Sequence, residues 1–478
     1  MLDFPSFLDL RERIDSQLVA INAELLAHPS TSIPLALLFA TLFIVLVLKR
    51  GVSETRIQEN LTPHTNPKRS SGKWISQPFD YPEFDASPHP LSDIKPPMYR
   101  PFRWGEYHVT MGVRSMQWGE WIELDDQYDA YHRIRKDRIK RKGQELVRVL
   151  PPSTRVHDGE DGTVHIDGGA AGAIELVHEL AEYLSLRYPM AFQVTRHANS
   201  VSLADYPTGW NGATPIKNVR IVPSEELFEL PLPLPLNYTA TEKFNIEEQG
   251  ETAMRIAALL VQDDLAVMVE GSNGAYYFQG GAICVGGFWR MKDKLGMRLD
   301  EIHISGEVPQ YEEKLHSSLA RFFRRLAVDK PVVRNNYFVQ VSPPSSATLS
   351  VDPDELAWGE NVLGPEDDYG GTKGSSFGSP PVLVVTPQTL RLRTERQTLR
   401  RLPRSGAIVF TIRTYLVPVE ELAREPGVAA RFASAVRSWP DGVKEYKGER
   451  RYGDVLVQYL EEMAEREEGG TAAKPYPF

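Results

Sequence analysis

Apolar positions along the chain recur with helical spacing in several segments and with strand-like spacing in others. A helix is predicted over 173–188, because Ile174, Val177, Ala181 and Leu184 fall on one face. The same spacing predicts further helices over 247–261 and 311–326 and near 418–424, 428–438 and 453–466.

Short apolar runs between glycines predict strands that lie among these helices. The runs cover 265–269, 275–279 and 282–285. Strands and helices do not alternate in the regular order of a doubly wound parallel sheet. The pattern therefore predicts an α+β fold built on an antiparallel sheet.

The stretch from Pro387 to Tyr415 predicts a β-hairpin that is rich in arginine. Two strand-like runs flank the turn signal Pro403-Arg404-Ser405-Gly406. The arginines of the two runs are Arg391, Arg393, Arg396, Arg400, Arg401 and Arg413. Cations at alternate positions gather on one face of a hairpin, and such a face must meet water or an anion. The sequence therefore predicts that the hairpin forms a wall of an anion-holding pocket.

An uncharged apolar run near the N-terminus predicts a membrane anchor over 33–50. The run has about the length that a spanning helix needs, and it ends at Lys49 and Arg50. The polar segment 1–32 precedes it, so a retained anchor is a better interpretation than a cleaved signal peptide. Basic residues predominate after the run, and the positive-inside rule then places the large C-terminal part in the cytosol. The endoplasmic reticulum is the expected membrane of this single-pass protein.

The composition of the remaining chain divides it into further segments. A Pro-rich linker is predicted over 51–98 and a globular domain over 99–465. Within the domain, 343–381 is rich in glycine, proline, serine and acidic residues, and it is predicted to be a surface insertion. A flexible tail is predicted over 466–478.

The overall charge and the cysteine content exclude two classes of function. The formal net charge of −10 argues against general nucleic-acid binding, which needs a basic surface. Cys284 is the one cysteine of the sequence. This excludes an internal disulfide and any zinc or iron–sulfur site that is built from several cysteines.

Searches for common catalytic motifs give negative or weak results. The sequence has no dinucleotide-binding glycine motif, no phosphate-binding loop of the right spacing and no serine nucleophile elbow. His178 begins a zincin-like pair, but glutamate stands where the second histidine belongs, so a core histidine is the better interpretation. His165 and Asp167 have the spacing of a facial-triad iron site but lie in a Gly-rich turn. The Asp-Pro-Asp motif at 352–354 is interpreted as a solvated loop.

The segment from Gly281 to Tyr311 is a candidate ligand site. A short strand leads into Gly286-Gly287 and Trp289, and His303 follows an apolar approach. Two interpretations stay open from these residues alone. His303 is either an ordinary loop histidine near a proline or an imidazole that a rigid turn makes available to a metal in a partly apolar pocket.

Four blocks of sequence resemble one known family. They are YHVTMGVRSMQWGEWIEL at 107–124, QDDL at 262–265, the segment 289–311, and ERQTLRRLPRSGAIVFTIRTY at 395–415. Over these blocks the chain resembles the haem-dependent oxidative N-demethylase α-subunit-like proteins of bacteria and fungi. The last block is the most specific, because its run of arginines, threonines and aromatic residues is hard to obtain by chance.

The resemblance implies a PAS-like antiparallel sheet with surrounding helices that hold a b-type haem. It places the axial iron ligand at His303, which matches the family's Ile-His motif together with Ile302. It also implies that Trp289 contacts the cofactor. Two residues more than usual separate His303 from the Val-Pro pair at 308–309.

The resemblance also gives the arginine-rich hairpin a function. Arg396 and Arg413 are predicted to bind the haem propionates, since opposite residues of a hairpin share a face and arginine pairs well with carboxylates. Gln397 and Thr398 are predicted to act as catalytic residues that order water or peroxide on the distal side. Arg404, at the turn, is predicted not to affect cofactor retention.

The resulting functional prediction is a membrane-anchored haem oxidoreductase that uses O₂ to remove an N-methyl group from a small amine. The sequence has no flavin, nicotinamide or iron–sulfur motif, so the electrons are expected to come from a separate reductase. Two alternatives stay open. One is a non-catalytic haem-binding sensor or scaffold with a PAS-like fold. The other is a lumenal glycosyltransferase of opposite topology, for which the sequons at Asn60 and Asn237 would be glycosylated.

Overall fold

The structure is a computed structural model, and it describes residues 74–156, 162–198, 205–236, 245–287, 289–342, 351–356 and 384–468. All of these residues belong to one compact unit, Ser70–Phe478. The predicted segment 1–32, the predicted anchor 33–50 and most of the predicted tail lie outside the described residues. Within the described ranges, no helix is long and apolar enough to cross a membrane.

A seven-stranded antiparallel sheet forms the centre of this unit. The strands of the structure are β1 (Arg114–Ser115), β2 (Val147–Val149), β3 (Ser153–Val156), β4 (Thr163–Ile166), β5 (Phe192–Arg196), β6 (Ile216–Ile221), β7 (Glu226–Glu229), β8 (Asp264–Glu270), β9 (Tyr276–Ala282), β10 (Val332–Val341), β11 (Leu390–Arg401) and β12 (Ile408–Pro418). The order in the large sheet is β1-β10-β11-β12-β8-β9-β2. Two smaller antiparallel sheets are also present, one of two strands, β3-β4, and one of three strands, β5-β6-β7.

Helices of very different lengths surround the sheet. They are α1 (Tyr128–Lys142), α2 (Ala170–Arg187), α3 (Ile246–Leu260), α4 (Met291–Lys294), α5 (Leu299–Ser305), α6 (His316–Arg325), α7 (Pro353–Leu356), α8 (Val419–Leu422), α9 (Val428–Arg437), α10 (Asp441–Tyr446) and α11 (Gly453–Glu468). A π-helical turn, Tyr311–Leu315, leads into α6. The α2 and α3 helices pack against each other beside the sheet. The predicted α+β class is confirmed by this mixture of helices and antiparallel strands.

Most of the predicted long elements are present at nearly the predicted positions. The helices predicted from apolar spacing correspond to α2, α3, α9 and α11, and two of the predicted strands correspond to β8 and β9. The strand predicted over 282–285 is wrong, because β9 ends at Ala282. The backbone N–H groups of Cys284 and Val285 instead donate to the buried Asp264 carboxylate, at 2.8 and 3.1 Å.

The arginine-rich hairpin is present as β11 and β12. Arg396 lies directly opposite Arg413 in the register of the two strands. The turn between them contains Gly406 with a φ of 69°, a left-handed conformation that glycine adopts without strain. Leu402 N–H donates to the Ala407 carbonyl at 2.8 Å and closes the turn. The predicted hairpin and its turn are therefore confirmed.

Helix α1 was not predicted, because its buried side mixes apolar residues with arginines. Arg135 and Arg138 are almost fully buried. Arg135 binds the Asp264 carboxylate at 2.8 Å, and Arg138 donates to the Cys284 carbonyl at 2.5 Å. A search for apolar spacing does not readily detect a helix in which buried arginines interrupt the apolar positions.

The second half of the predicted linker belongs to the folded unit. Tyr81 stacks on Trp210 with ring centroids 3.9 Å apart, and its hydroxyl binds Glu179. The indole Nε1 of Trp74 donates to the Pro403 carbonyl at 2.9 Å. Aromatic residues between the prolines thus attach this segment to α2 and the hairpin turn, which corrects the predicted domain start at 99.

Part of the predicted surface insertion packs inward. In α7, Leu356 is fully buried, and its neighbour Glu355 lies 3.4 Å from Arg391 of β11. The carbonyls of Pro353 and Leu356 accept hydrogen bonds from Arg138. Residues 343–350 and 357–381 lie outside the described residues. Asp352 and Pro353 are exposed, as predicted for a solvated segment, but Pro353 begins the short helix α7 and is not part of a loop.

Candidate functional site

A cavity of about 310 Å³ lies on one face of the large sheet, next to α5 and α6. This volume is at the lower end of the range for small-molecule sites. Aliphatic and aromatic side chains form most of its wall, among them Met268, Phe278, Ile302, Phe323, Leu399 and Phe410. The strands β10 and β11 add charged and polar side chains at alternate positions. The cavity therefore combines an apolar interior with a polar wall along two strands.

His303 lies on α5 and faces this cavity. Its Nδ1 atom is 2.6 Å from the Leu299 carbonyl, one helical turn earlier. A carbonyl only accepts hydrogen bonds, so Nδ1 carries the proton and Nε2 keeps its lone pair. Nε2 has no hydrogen-bond partner within the described part of the chain. His303 is thus in a helix and not in the loop that the sequence suggested.

The electrostatic surroundings keep His303 neutral. Burial lowers the pKa of His303 to about 4, although the hydrogen bond to Leu299 opposes this shift. The nearby cations Arg334 and Lys294 lower the pKa further. Because a metal binds the neutral imidazole, this site can offer a ligand at any pH well above 4.

Aromatic rings fix the orientation of the imidazole. The Tyr311 ring stacks on it with centroids 4.8 Å apart and planes 10° from parallel. Trp289 meets it edge to face at 6.1 Å. Gly306 lies directly against the Trp289 indole, and a side chain at this position would collide with the ring. The segment after His303 is two residues longer than is usual in the family that the sequence resembles. It nevertheless places the Tyr311 ring on the His303 ring.

Gln397 belongs to β11 and lies on the polar wall of the cavity, with β10 and β12 as the neighbouring strands. Its Nε2 atom donates to Glu395 Oε2 at 3.1 Å, and Arg393 Nε lies 3.4 Å from Glu395 Oε1. Arg393 also donates to the Val285 carbonyl at 2.5 Å. The Gln397 Oε1 atom has no partner among the residues that the structure describes. It is thus available to a bound molecule.

A family model described as haem-dependent oxidative N-demethylase, alpha subunit-like, matches residues 112–457. The match covers well over half of the chain and includes the cavity-lining strands. The chain belongs to this family. The resemblance found in the sequence is confirmed, and the name of the family indicates haem-dependent oxidative chemistry.

The structure brings only some of the predicted residues of the N-demethylase-like site together. His303, Trp289 and Gln397 line the cavity. Thr398, Arg396 and Arg413 do not, because successive residues of a strand point to opposite faces of a sheet. Thr398 instead shares a hydrogen bond of 2.7 Å with Thr411 on the other face. The structure thus does not bring these three residues to the cavity, and their predicted roles at a cofactor stay predictions.

Arg396 and Arg413 bind carboxylates of the protein itself. Arg396 Nε lies 3.2 Å from Glu123, and Arg413 Nη2 donates to Asp125 at 2.8 Å. Burial alone would lower the pKa of Arg413, but Asp125 and neighbouring oxygen atoms hold this pKa well above its usual value. The anions that the hairpin face was predicted to meet are therefore acidic side chains of the segment before α1.

Other hairpin arginines are satisfied in the same way. Arg400 pairs with Glu179 of α2 and lies over the Trp121 ring, with its guanidinium carbon 4.4 Å from the centroid. Arg401 donates to the carbonyls of Leu326 and Phe323. Arg396, Arg400 and Arg413 thus make buried structural contacts on the face opposite the cavity. Arg401 makes such contacts beside the turn, and Arg393 lines the cavity itself.

The remaining candidate histidines of the N-demethylase-like chain lie away from the cavity. His178 is buried in α2, and its Nε2 atom lies 2.8 Å from the Pro231 carbonyl. This confirms its interpretation as a core histidine. His165 is exposed on β4, with Nε2 3.4 Å from Asp167. In the described residues, no three His, Cys, Asp or Glu side chains come together to hold a metal ion.

Two cavity residues were missed in the sequence. Arg334 on β10 and Lys447 after α10 both line the cavity. Arg334 could have been predicted from strand alternation, which places it on the same face as Asn336, another residue of the cavity lining. Lys447 had no such signal, because its position depends on how the C-terminal helices pack against β10.

Asp263 is a buried carboxylate beside the arginine network. It is fully buried, and neither carboxylate oxygen has a hydrogen-bond partner among the described residues. Burial raises the pKa of Asp263 to about 6, although Arg413, Arg396 and Arg135 oppose the shift. The folded protein therefore favours the neutral acid more strongly than the unfolded chain does.

Replacement of Asp263 by asparagine is expected to change the pH dependence of stability. The folded-state pKa is above the unfolded value, so the stability from this group is present below about pH 4 and is lost as the pH rises through 6. We expect Asp263→Asn to match the wild type at pH 4 and to exceed it by up to about 3 kcal/mol at pH 8. Urea unfolding at both pH values measures this, and equal stability at pH 8 would contradict it.

Proposed function

We propose that the protein binds haem in this cavity and catalyses haem-dependent oxidative N-demethylation, with His303 as the iron ligand. The observation that carries the proposal is the neutral imidazole of His303, whose Nε2 lone pair has no partner in the described residues. This imidazole lines an apolar cavity in a chain that belongs to the N-demethylase-like family. The antiparallel sheet with helices over one face supports a PAS-like fold.

The residues of the cavity fit a haem. The apolar wall suits the macrocycle, one imidazole suits the axial position, and the cations at the wall suit the propionates. A b-type haem is favoured because covalent attachment of a c-type haem uses two cysteines, and Cys284 is the one cysteine in the sequence. When bound, the haem would supply O₂ activation and the oxidation of an N-methyl C–H bond.

The chain's own residues would hold and orient the reactants. His303 would hold the iron through Nε2, while Leu299 fixes its tautomer and Tyr311 its ring plane. Gln397 would orient water or an amine through its free Oε1 atom. The surrounding phenylalanine and leucine side chains would exclude bulk water from the reaction.

The proposed reaction needs O₂ and an external reductant. The amine R₂N–CH₃, O₂, two electrons and two protons give R₂NH, formaldehyde and water. The sequence has no flavin, nicotinamide or iron–sulfur motif, so the two electrons would come from a separate reductase.

Absorption spectroscopy and a turnover assay on the full chain test this proposal. We expect a Soret band after haem is added, and formaldehyde from N-methylated amines when O₂ and an electron-donating reductase are present. A Soret band without turnover across a panel of amines would favour the haem-binding sensor or scaffold. No Soret band after haem supplementation would overturn the proposal.

We also propose that residues 33–50 anchor the protein in the endoplasmic reticulum with the catalytic part in the cytosol. The uncharged apolar run and the basic residues after it support this topology. Protease treatment of intact microsomes is expected to digest the C-terminal part. A protected C-terminal part with a glycan on Asn237 would favour the lumenal alternative instead.

A further inference from the structure

A buried lysine lies at the cavity, and no carboxylate of the described residues is hydrogen-bonded to it. Lys447 is 4 % exposed, and its Nζ atom donates to the Tyr337 carbonyl at 2.5 Å. The ammonium group also lies over three aromatic rings, those of Tyr337, Phe338 and Trp439, at 4.4 to 5.4 Å from their centroids. These contacts leave the lysine with donor capacity, because an ammonium group has three N–H bonds.

A second cation lines the same cavity and has fewer contacts. The Arg334 guanidinium makes no hydrogen bond to any described residue, and its Nε atom is buried. Burial lowers the pKa of Arg334 below its usual range. Arg334 as a whole is only partly buried, but its Nε atom is shielded from water without a partner, so the guanidinium would gain from an entering anion.

The carboxylate nearest to both cations is already engaged. Glu395 is the acidic group that acts on Lys447 and Arg334, but its two oxygens bind Arg393 and Gln397. Asp264, which also lines the cavity, binds Arg135. The other charged groups of the lining are the cations Arg290 and Lys294. Arg290 pairs with Asp293 at 2.7 Å, so it adds little net charge. The lining still has more cations than carboxylates, and Arg334 and Lys447 are the two without a carboxylate hydrogen-bonded to them among the described residues on β10 and after α10.

We propose that Arg334 and Lys447 together form a carboxylate-binding site whose affinity falls as the pH rises. The carboxylate comes from one of two sources, a propionate of bound haem or the acid group of a small substrate. The first source rests on the proposed function, whereas the second does not require haem. In either case the two cations hold a carboxylate at a fixed position in the cavity. The substrate methyl group would be oriented relative to this position.

Protonation of Lys447 makes this site sensitive to pH near neutrality. Burial lowers the pKa of Lys447 to about 7, Arg334 lowers it further, and Glu395 opposes both. The lysine therefore loses its charge as the pH rises through 7. A bound carboxylate favours the charged form, so binding weakens by up to about tenfold for each pH unit above 7.

Binding measurements on the full chain test the haem source. Haemin has two propionates, and haemin dimethyl ester carries neutral esters in their place. At pH 6.5 we expect Lys447→Met and Arg334→Leu to weaken haemin binding about tenfold or more and to leave binding of the ester unchanged. Lys447→Arg, which stays charged at every pH, is expected to retain haemin affinity and to lose its decline between pH 6.5 and 8.5.

The haem-free full chain tests the other source. Benzoate and benzamide differ in charge but little in shape, and calorimetry measures their binding directly. If the carboxylate belongs to a substrate, we expect benzoate to bind more tightly than benzamide, with the difference lost in Lys447→Met, while haemin binding is unaffected by this variant. Circular dichroism of each variant verifies that it is folded.

The outcomes separate this inference from the proposed function. If haem does not bind to the wild type, the proposed function fails, and the benzoate comparison still decides the carboxylate site. The inference is overturned if the wild type binds haemin no better than its ester and benzoate no better than benzamide. It is also overturned if the pH dependence of binding persists in Lys447→Arg.

Discussion

Replacing His303 with alanine is expected, on the proposed function, to abolish N-demethylation and to weaken haem binding by more than about 100-fold. The reason is that Nε2 of His303 is the imidazole nitrogen that the cavity offers to iron, and its neighbours Leu299 and Tyr311 already fix its orientation. The Soret band of any residual complex should shift, because the axial ligand would be lost. Spectra of haem titrations and formaldehyde release measure these effects.

His316 provides a matched control for this variant. It also lies near Tyr311, with ring centroids 5.7 Å apart, but it is about half exposed and pairs loosely with Asp300. We expect His316→Ala to leave the spectrum and turnover close to those of the wild type. Added imidazole is expected to restore part of the band in His303→Ala by filling the vacated space. An unchanged Soret band in His303→Ala would show that His303 is not the ligand.

Replacing Arg413 with methionine is expected to destabilise the fold by about 3–5 kcal/mol. The variant leaves Asp125 buried without its partner, since both side chains are at most 1 % exposed and their ion pair spans 2.8 Å. Arg413 also lies over the rings of Tyr131 and Tyr415, with its guanidinium carbon 4.2 and 4.5 Å from their centroids. Denaturant unfolding of the full chain measures the loss.

Two further variants show whether the effect comes from the buried pair. Arg404→Ala, at the hairpin turn, is expected to change stability by less than about 1 kcal/mol, because its side chain is partly exposed and has no acidic partner among the described residues. Asp125→Leu combined with Arg413→Met is expected to recover part of the lost stability, since no unpaired charge then remains. Equal stability of Arg413→Met and wild type would contradict the structural role.

The same variants decide the role that the sequence predicted for Arg413. On the arrangement in this structure, folded Arg413→Met should bind haemin with wild-type affinity, because Arg413 does not line the cavity. A selective loss of haemin affinity, with no loss for the dimethyl ester, would instead support the predicted propionate contact. Arg404→Ala is expected to retain haemin in either case.

Strand alternation explains why the structure brings some of the predicted site residues to the cavity and others to the opposite face of the sheet. Arg396 and Gln397 are neighbours on one strand, so they cannot both face the same cavity. The register puts Gln397 on the cavity side and Arg396, with Arg413 opposite it, on the other. Strand geometry alone therefore prevents Arg396 from binding a ligand in the same cavity in which Gln397 orders water or peroxide. The packing of the sheet against α5 and α6 decides that Gln397 faces the cavity.

Burial of arginine explains the other large difference. An arginine-rich strand was expected to face water or a ligand, because isolated buried charges are unfavourable. In the structure, carboxylates and backbone carbonyls from segments distant in the sequence bind these guanidinium groups. Arg413 and Asp125 are 288 residues apart in sequence. No local pattern indicates a partner at that distance.

Local spacing and short specific blocks were enough to predict the α+β class, the hairpin with its turn, the main amphipathic helices and the family resemblance. The same blocks identified His303 and Trp289, because each lies in a segment whose residues are close together in the chain. Three features came from the folded arrangement instead: the strand face that meets the cavity, the anions that neutralise the arginines, and the proximity of Arg334 to Lys447. These depend on strand register and on packing between segments far apart in the chain, which local periodicity does not encode.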